Sequence, residues 1–340
     1  MTETPRQPGA LPAETPATVE ATVDPLLGTG GLGTQKSPGT PAASDAADLG
    51  PAHSLWSDAW DTLRRSPLFW ISAALILLFV VMAAFPELFT RVSPTACDLN
   101  NARKAPGDGA LFGYDLQGCD VFARTVHGAR ASILVGVFAT LVTSLIGTAL
   151  GVIAGYSGGW LDTLLSRIAD VFFAIPLLLG GIIIMYTFQT PPGTPYLIVV
   201  AKVVFALAVL GWPNIFRLMR SSVLQVKPQE YVQAARALGA SPVRVILSHV
   251  VPNALAPVIV VATIDLGAYI ATEATLSFLG IGLQPPAISW GIAISEASGI
   301  GYIRNAPHML LFPSLFLSLT VLAFILLGEA VRDALDPKLR

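Results

Sequence analysis

Glu230-Tyr-Val-Gln-Ala-Ala-Arg-Ala-Leu-Gly239, continued by Ala240-Ser-Pro-Val-Arg244, is the stretch on which the fold turns. It is too polar to cross a membrane and too regularly patterned for a slack loop. Pro228 can open a helix just ahead of it. Tyr231, Ala234, Ala235 and Leu238 then fall at i, i+3, i+4 and i+7, one apolar stripe with Glu230, Gln233 and Arg236 beside or opposite it. Gly239 ends that helix, and Ser241 reads as an N-cap with Pro242 in the first helical position of the next. The segment 217–253 therefore predicts a short helix laid across the ends of membrane helices. A helix that only anchors its own loop at the interface is the plainer reading of the same pattern.

On both sides of this segment the chain turns apolar. Of its 340 residues 53% are hydrophobic and only 12% are charged, about half the roughly 25% of soluble domains. An ordinary soluble enzyme is excluded. The net charge of −2, with no clustered Lys/Arg among aromatics, sets nucleic-acid binding aside. Apolar runs predict six spans, at about 68–86, 131–155, 168–188, 196–216, 252–280 and 309–328. The second is rich in Gly, Ala, Ser and Thr, which let helix backbones approach closely, so it belongs inside the bundle. Pro176 predicts a kink in the third. Lys202, Asp265 and Glu273 are ionisable residues within spans, and each requires a partner, snorkelling or an interior position.

The remaining chain divides accordingly. Residues 1–52 carry eight Pro, seven Gly and no aromatic residue, a composition that predicts a disordered tail. Residues 53–66, with Trp56, Trp60 and Leu63 on one side, predict an interfacial amphipathic helix. The first apolar run follows Arg64-Arg65, the flank of a retained anchor and not of a cleaved secretory signal. Residues 67–130 hold the first span and a polar segment, and 131–340 the remaining five spans. Basic residues concentrate at the end bearing Arg217, Arg220, Lys227 and Arg236, which puts both termini in the cytoplasm. Cys97 and Cys119 then lie outside, where disulfides persist. They are a candidate bridge, with two free thiols as the alternative. Neither sits at metal-ligand spacing, and the four His residues are dispersed with no nucleophile or carboxylate around them, so neither a metal site nor catalysis is indicated.

The wording of the 230–239 stretch, followed by His249-Val-Val-Pro-Asn253, resembles the EAA loop of the membrane subunits of ATP-binding-cassette importers. Three further segments are similar to dipeptide and oligopeptide permeases: Phe112 to Ser132, Ala274 to Pro286 with Trp290-Gly291, and Arg332 to Arg340. Gln233 stands where the name-giving Glu would be, and Cys119 where an Arg is common. The resemblance implies an all-α membrane permease of the type I, MetI-like fold with a cytoplasmic coupling helix. It also implies partners: a second homologous permease, two ATPase subunits that carry ATP and Mg, and an extracytoplasmic solute-binding protein. On it, Glu230, Tyr231, Ala234, Ala235, Arg236, Leu238, Gly239, Ser241, Pro242 and Arg244 are the ATPase-coupling residues. The chain contains no G-x-x-x-x-G-K-[ST] loop, so it is expected to bind no cofactor itself. Asp265 and Glu273 are candidates for the translocation path, with a structural hydrogen bond as the bland reading for each. Peptides are the expected substrate and nickel or another small solute the alternative. A self-sufficient secondary carrier using Asp265, Glu273 and Lys202 is the reading from a different class, although no inverted repeat is visible.

Overall fold

The computed structural model describes residues 55–107, 109–191 and 193–335. The expected disorder of 1–52 and the last basic residues, Lys338 and Arg340, lie outside them. The described chain is helical, with only isolated bridges in place of strands. In order the helices are α1 (Leu55–Leu63), α2 (Pro67–Ala84), α3 (Val121–Ser157), α4 (Gly159–Phe173), α5 (Leu177–Thr187), α6 (Tyr196–Val226) and α7 (Glu230–Ala237). They are followed by α8 (Pro242–Val245), α9 (Val251–Ala254), α10 (Ala256–Phe278), α11 (Trp290–Ala297), α12 (Ile300–Asn305) and α13 (His308–Leu335). Five of these (α2, α3, α6, α10 and α13) are long and apolar enough to cross a membrane, and the pair α4 and α5 makes six when counted as one broken span.

The third span is therefore not the single kinked helix that the sequence predicts. Its halves meet at 82°. Pro176 has no N–H and pushes Ile175 before it out of the helical region; with Pro176 itself extended at ψ 126°, the chain leaves one helix and starts another. The second span also differs, because α3 begins at Val121 and not near 131. A division of the chain between 130 and 131 falls inside this helix. Asp120 caps it by accepting from the Phe122 and Ala123 N–H groups at 2.7 and 3.1 Å. The charges that made its first turns look like loop are satisfied by distant parts of the chain. Arg124 pairs with Asp115 and, at 3.0 Å, with Glu296. Arg130 donates to the Ala83 and Ala84 carbonyls at 3.0 and 3.1 Å, closing the C-terminus of α2.

The core is organised around a seam between α3 and α6. A Cβ placed on Gly147 would lie 2.7 Å from the Ile215 Cβ and 2.8 Å from the Trp212 carbonyl. On Gly151 it would meet the Met219 Cβ and the Phe216 carbonyl, both at 2.8 Å, and on Gly155 the Val223 Cβ at 2.9 Å. The rising numbers on both sides mean that the two helices run parallel, and the broken span between them returns the chain to the starting end. One end of the bundle thus collects α7, the start of α2 and the close of α13. The opposite end holds the segment between α2 and α3, where Cys97 and Cys119 are bridged. Outward faces remain apolar, with Leu77, Leu145, Val171 and Leu197 each more than 60% exposed, as lipid requires.

Candidate coupling surface

Helix α7 starts at Glu230 and not at Pro228, which lies in the turn after α6; Gln229, extended at ψ 147°, is its first flanking residue. Its end is closed by backbone alone. Gly239 adopts φ +83°, its N–H donates to Arg236 O at 2.9 Å, and the Ala240 N–H donates to Ala235 O at 3.1 Å. Those two bonds satisfy carbonyls that a helix end leaves open, and the left-handed φ is one that glycine adopts without strain. The Ser241 hydroxyl then accepts from the Arg244 N–H at 3.4 Å, starting α8 with Pro242 in its first turn. A π turn at Ile246–Val250 carries the chain on to α9, and the Asn253 amide donates to His249 O there at 2.7 Å.

The face of α7 turned toward the protein is not the stripe that the spacing picks out. Val232 is fully buried, in a cluster with Val152 of α3, with Ile215, Met219 and Val223 of α6, and with Val245 of α8, Val250 of the π turn, Ala254 of α9 and Val258 of α10. Arg236 stands over the Tyr156 ring at 5.2 Å from its centroid. Lys227 lies over the same ring and donates to Tyr156 O at 2.7 Å, so the two cations hold the turn against the end of α3. Tyr231, Ala234 and Leu238 face away, with Leu238 89% exposed and Ala235 at the margin. Glu230, Gly239, Ser241, Pro242 and Arg244 are also exposed, as are the apolar Val243 and Leu247 in the segment that follows. A helix buried on one side in a cluster shared with three spans, and bare and apolar on the other, can transmit force between whatever covers it and the bundle. Sequence reasoning missed Val232, Tyr156 and Lys227. A β-branched residue one position off the stripe is a weak signal, and Tyr156 lies far away in the chain.

The two carboxylates within the spans are not brought together. Glu273 is fully buried, its Oε1 accepts from the Ser277 hydroxyl at 2.7 Å, and that hydroxyl accepts from the Leu283 N–H at 2.9 Å. This pins the chain leaving α10. Asp265 instead borders a cavity at the break between α4 and α5, where the Asn214 amide donates to its Oδ2 at 3.4 Å. Lys202 reaches neither of them. Its ammonium donates to Gln189 O at 2.8 Å, just beyond the end of α5, where carbonyls and the helix dipole favour a cation.

Residues 147–340 match the family model "Binding-protein-dependent transport system inner membrane component", and residues 54–106 match "N-terminal TM domain of oligopeptide transport permease C". The chain is 39% identical over 304 residues to the oligopeptide transport system permease protein OppC of Bacillus subtilis, covering 88% of this chain and 96% of that protein. It is 37% identical to the dipeptide transport system permease protein DppC of Alkalihalophilus pseudofirmus, over 88% and 95% of the two chains. Identity to the glutathione transport system permease protein GsiD of Escherichia coli is also 37%, over 84% and 91%. Among solved structures, a chain of the inward-facing MetNI methionine ABC transporter aligns with 62% of this chain and 96% of its own, at 22% identity and a TM-score of 0.49.

Proposed function

The chain belongs to the family of binding-protein-dependent transport system inner membrane components, and from that premise we propose that it is the permease subunit of an ATP-binding-cassette importer that moves di- or oligopeptides into the cytoplasm. The outward face of α7 docks on a separate ATPase subunit. One observation carries this reading: Tyr231, Ala234 and Leu238 are bare on a helix whose other side is buried through Val232 in a cluster shared with α3, α6 and α10. ATP and Mg are held by the partner subunits, and this chain supplies the path and the handle. A second permease completes the channel, and a solute-binding protein delivers the peptide at the disulfide end. The basic residues Arg64, Arg65, Arg167, Arg217, Arg220 and Arg332 support placing the α7 end, with both termini, in the cytoplasm.

The test is a Gly239→Asp variant, which puts a charge beside the docking face with open space around the new Cβ, at a φ of +83° that strains the local turn for any side chain. We expect normal membrane insertion, continued ATPase activity and loss of labelled di- to pentapeptide uptake. Unchanged uptake by a well-inserted variant refutes the docking assignment. Purification of the wild-type chain from native membranes should bring an ATPase and a second permease with it. Its recovery alone, with uptake that needs no ATP, would favour a self-sufficient carrier.

A further inference from the structure

Where the third span breaks, Phe172, Phe173 and Pro176 face Gly211 and Asn214 of α6 and Asp265 and Tyr269 of α10 across a cavity of about 260 Å³. Asp265 is the tenth of the 23 residues of α10, which puts it near the middle of the span. Among the described residues it makes no ion pair, and the Asn214 amide at 3.4 Å is its one hydrogen-bond donor. The cation beside the cavity is already engaged: Arg217 stacks on Phe173 at 3.9 Å and pairs with Asp170 at 2.7 Å. A mid-membrane carboxylate without a cation is costly unless something else supplies one.

We infer that Asp265, Asn214 and Tyr269 form a subsite for the α-ammonium group of a peptide in transit. The inference rests on the peptide-import reading and names the part of the substrate that this chain grips. A hard metal ion calls for several oxygen ligands at once, more than one carboxylate and one amide offer. An alkylammonium needs a carboxylate, a further oxygen and aromatic faces, and the cavity has all three. Its volume is below the roughly 300 to 1,000 Å³ of sites that enclose whole drug-sized ligands, so it accommodates one end of a longer molecule. The amino terminus is the cation that every unmodified peptide carries, whatever its side chains.

The experiment uses the complete transporter in proteoliposomes with labelled trialanine. A membrane-permeant carbodiimide, which joins a carboxylate to an amine in contact with it, is added during turnover, and the labelled residue is found by peptide mapping. Label at Asp265 with trialanine, but not with N-acetyl-trialanine or in Asp265→Asn, supports the subsite. Trialanine uptake should fall about tenfold in Asp265→Asn, the scale of one hydrogen bond to a charged group, and recover in Asp265→Glu. No amine-dependent label at Asp265 while wild type imports trialanine overturns the subsite and leaves peptide import standing. Failure of wild type to import any peptide overturns both.

Discussion

Gly147, Gly151 and Gly155 are absent side chains with a defined purpose, since each lets a backbone carbonyl or Cβ of α6 come within 3 Å of where its own Cβ would be. Gly151→Val therefore forces α3 and α6 apart, and overpacking of this kind costs about 1–3 kcal/mol or more. The loss appears as a lower thermal midpoint in detergent. Gly301 is the control, an exposed glycine within α12 with no described atom near a new Cβ. Gly301→Ala should raise stability by about 0.5 kcal/mol through the unfolded chain alone. An equal response at the two positions would refute the close-packed seam. The spacing of small residues was legible from sequence as a helix buried in a bundle, but which helix it meets was not, because Ile215 and Met219 look like any other apolar pair in a span.

At the scale of elements, α7 was legible because its caps and spacing are local, whereas its orientation depends on Val245, Val250 and Val152, which only the folded chain assembles around Val232. The same distinction explains α5. Pro176 announces a break but not its 82° angle, and the end of α5 is held by Lys202, which the sequence reading set beside Asp265 and Glu273 in the carrier alternative. Lys202→Met should loosen that end by about 1 kcal/mol, the scale of a cation at a helix C-terminus. Faster amide exchange at 186–190, with α3 unchanged, is the expected signature; exchange unaltered there would show that the ammonium stabilises nothing. The short helix α12 escaped sequence reading because six residues are too few to establish a period; α11, as long as α7, was missed although Ser289 caps it locally by accepting from the Ile292 N–H at 3.3 Å.

The molecule as a whole has two unlike ends. At one, basic side chains and a short helix with a bare apolar stripe surround the spans. At the other, a bridge between Cys97 and Cys119 closes the segment from which Asp115 reaches Arg124. Alkylation of the denatured chain should label no cysteine before reduction and two after it. Closing a loop of 22 residues contributes about 3 kcal/mol on chain-entropy grounds, so reductant should lower the thermal midpoint. Two labelled thiols before reduction would refute the bridge. Between these ends runs α3, whose 37 residues span about 55 Å at 1.5 Å per residue. Zipped to α6 along its glycines, it is a long lever with a short handle: a swing of about 5° at α7 carries the far tip through about 5 Å, roughly one helical pitch. On the proposed docking of α7, a small swing at the handle becomes, at the far side of the bilayer, a displacement wide enough to open or shut a doorway.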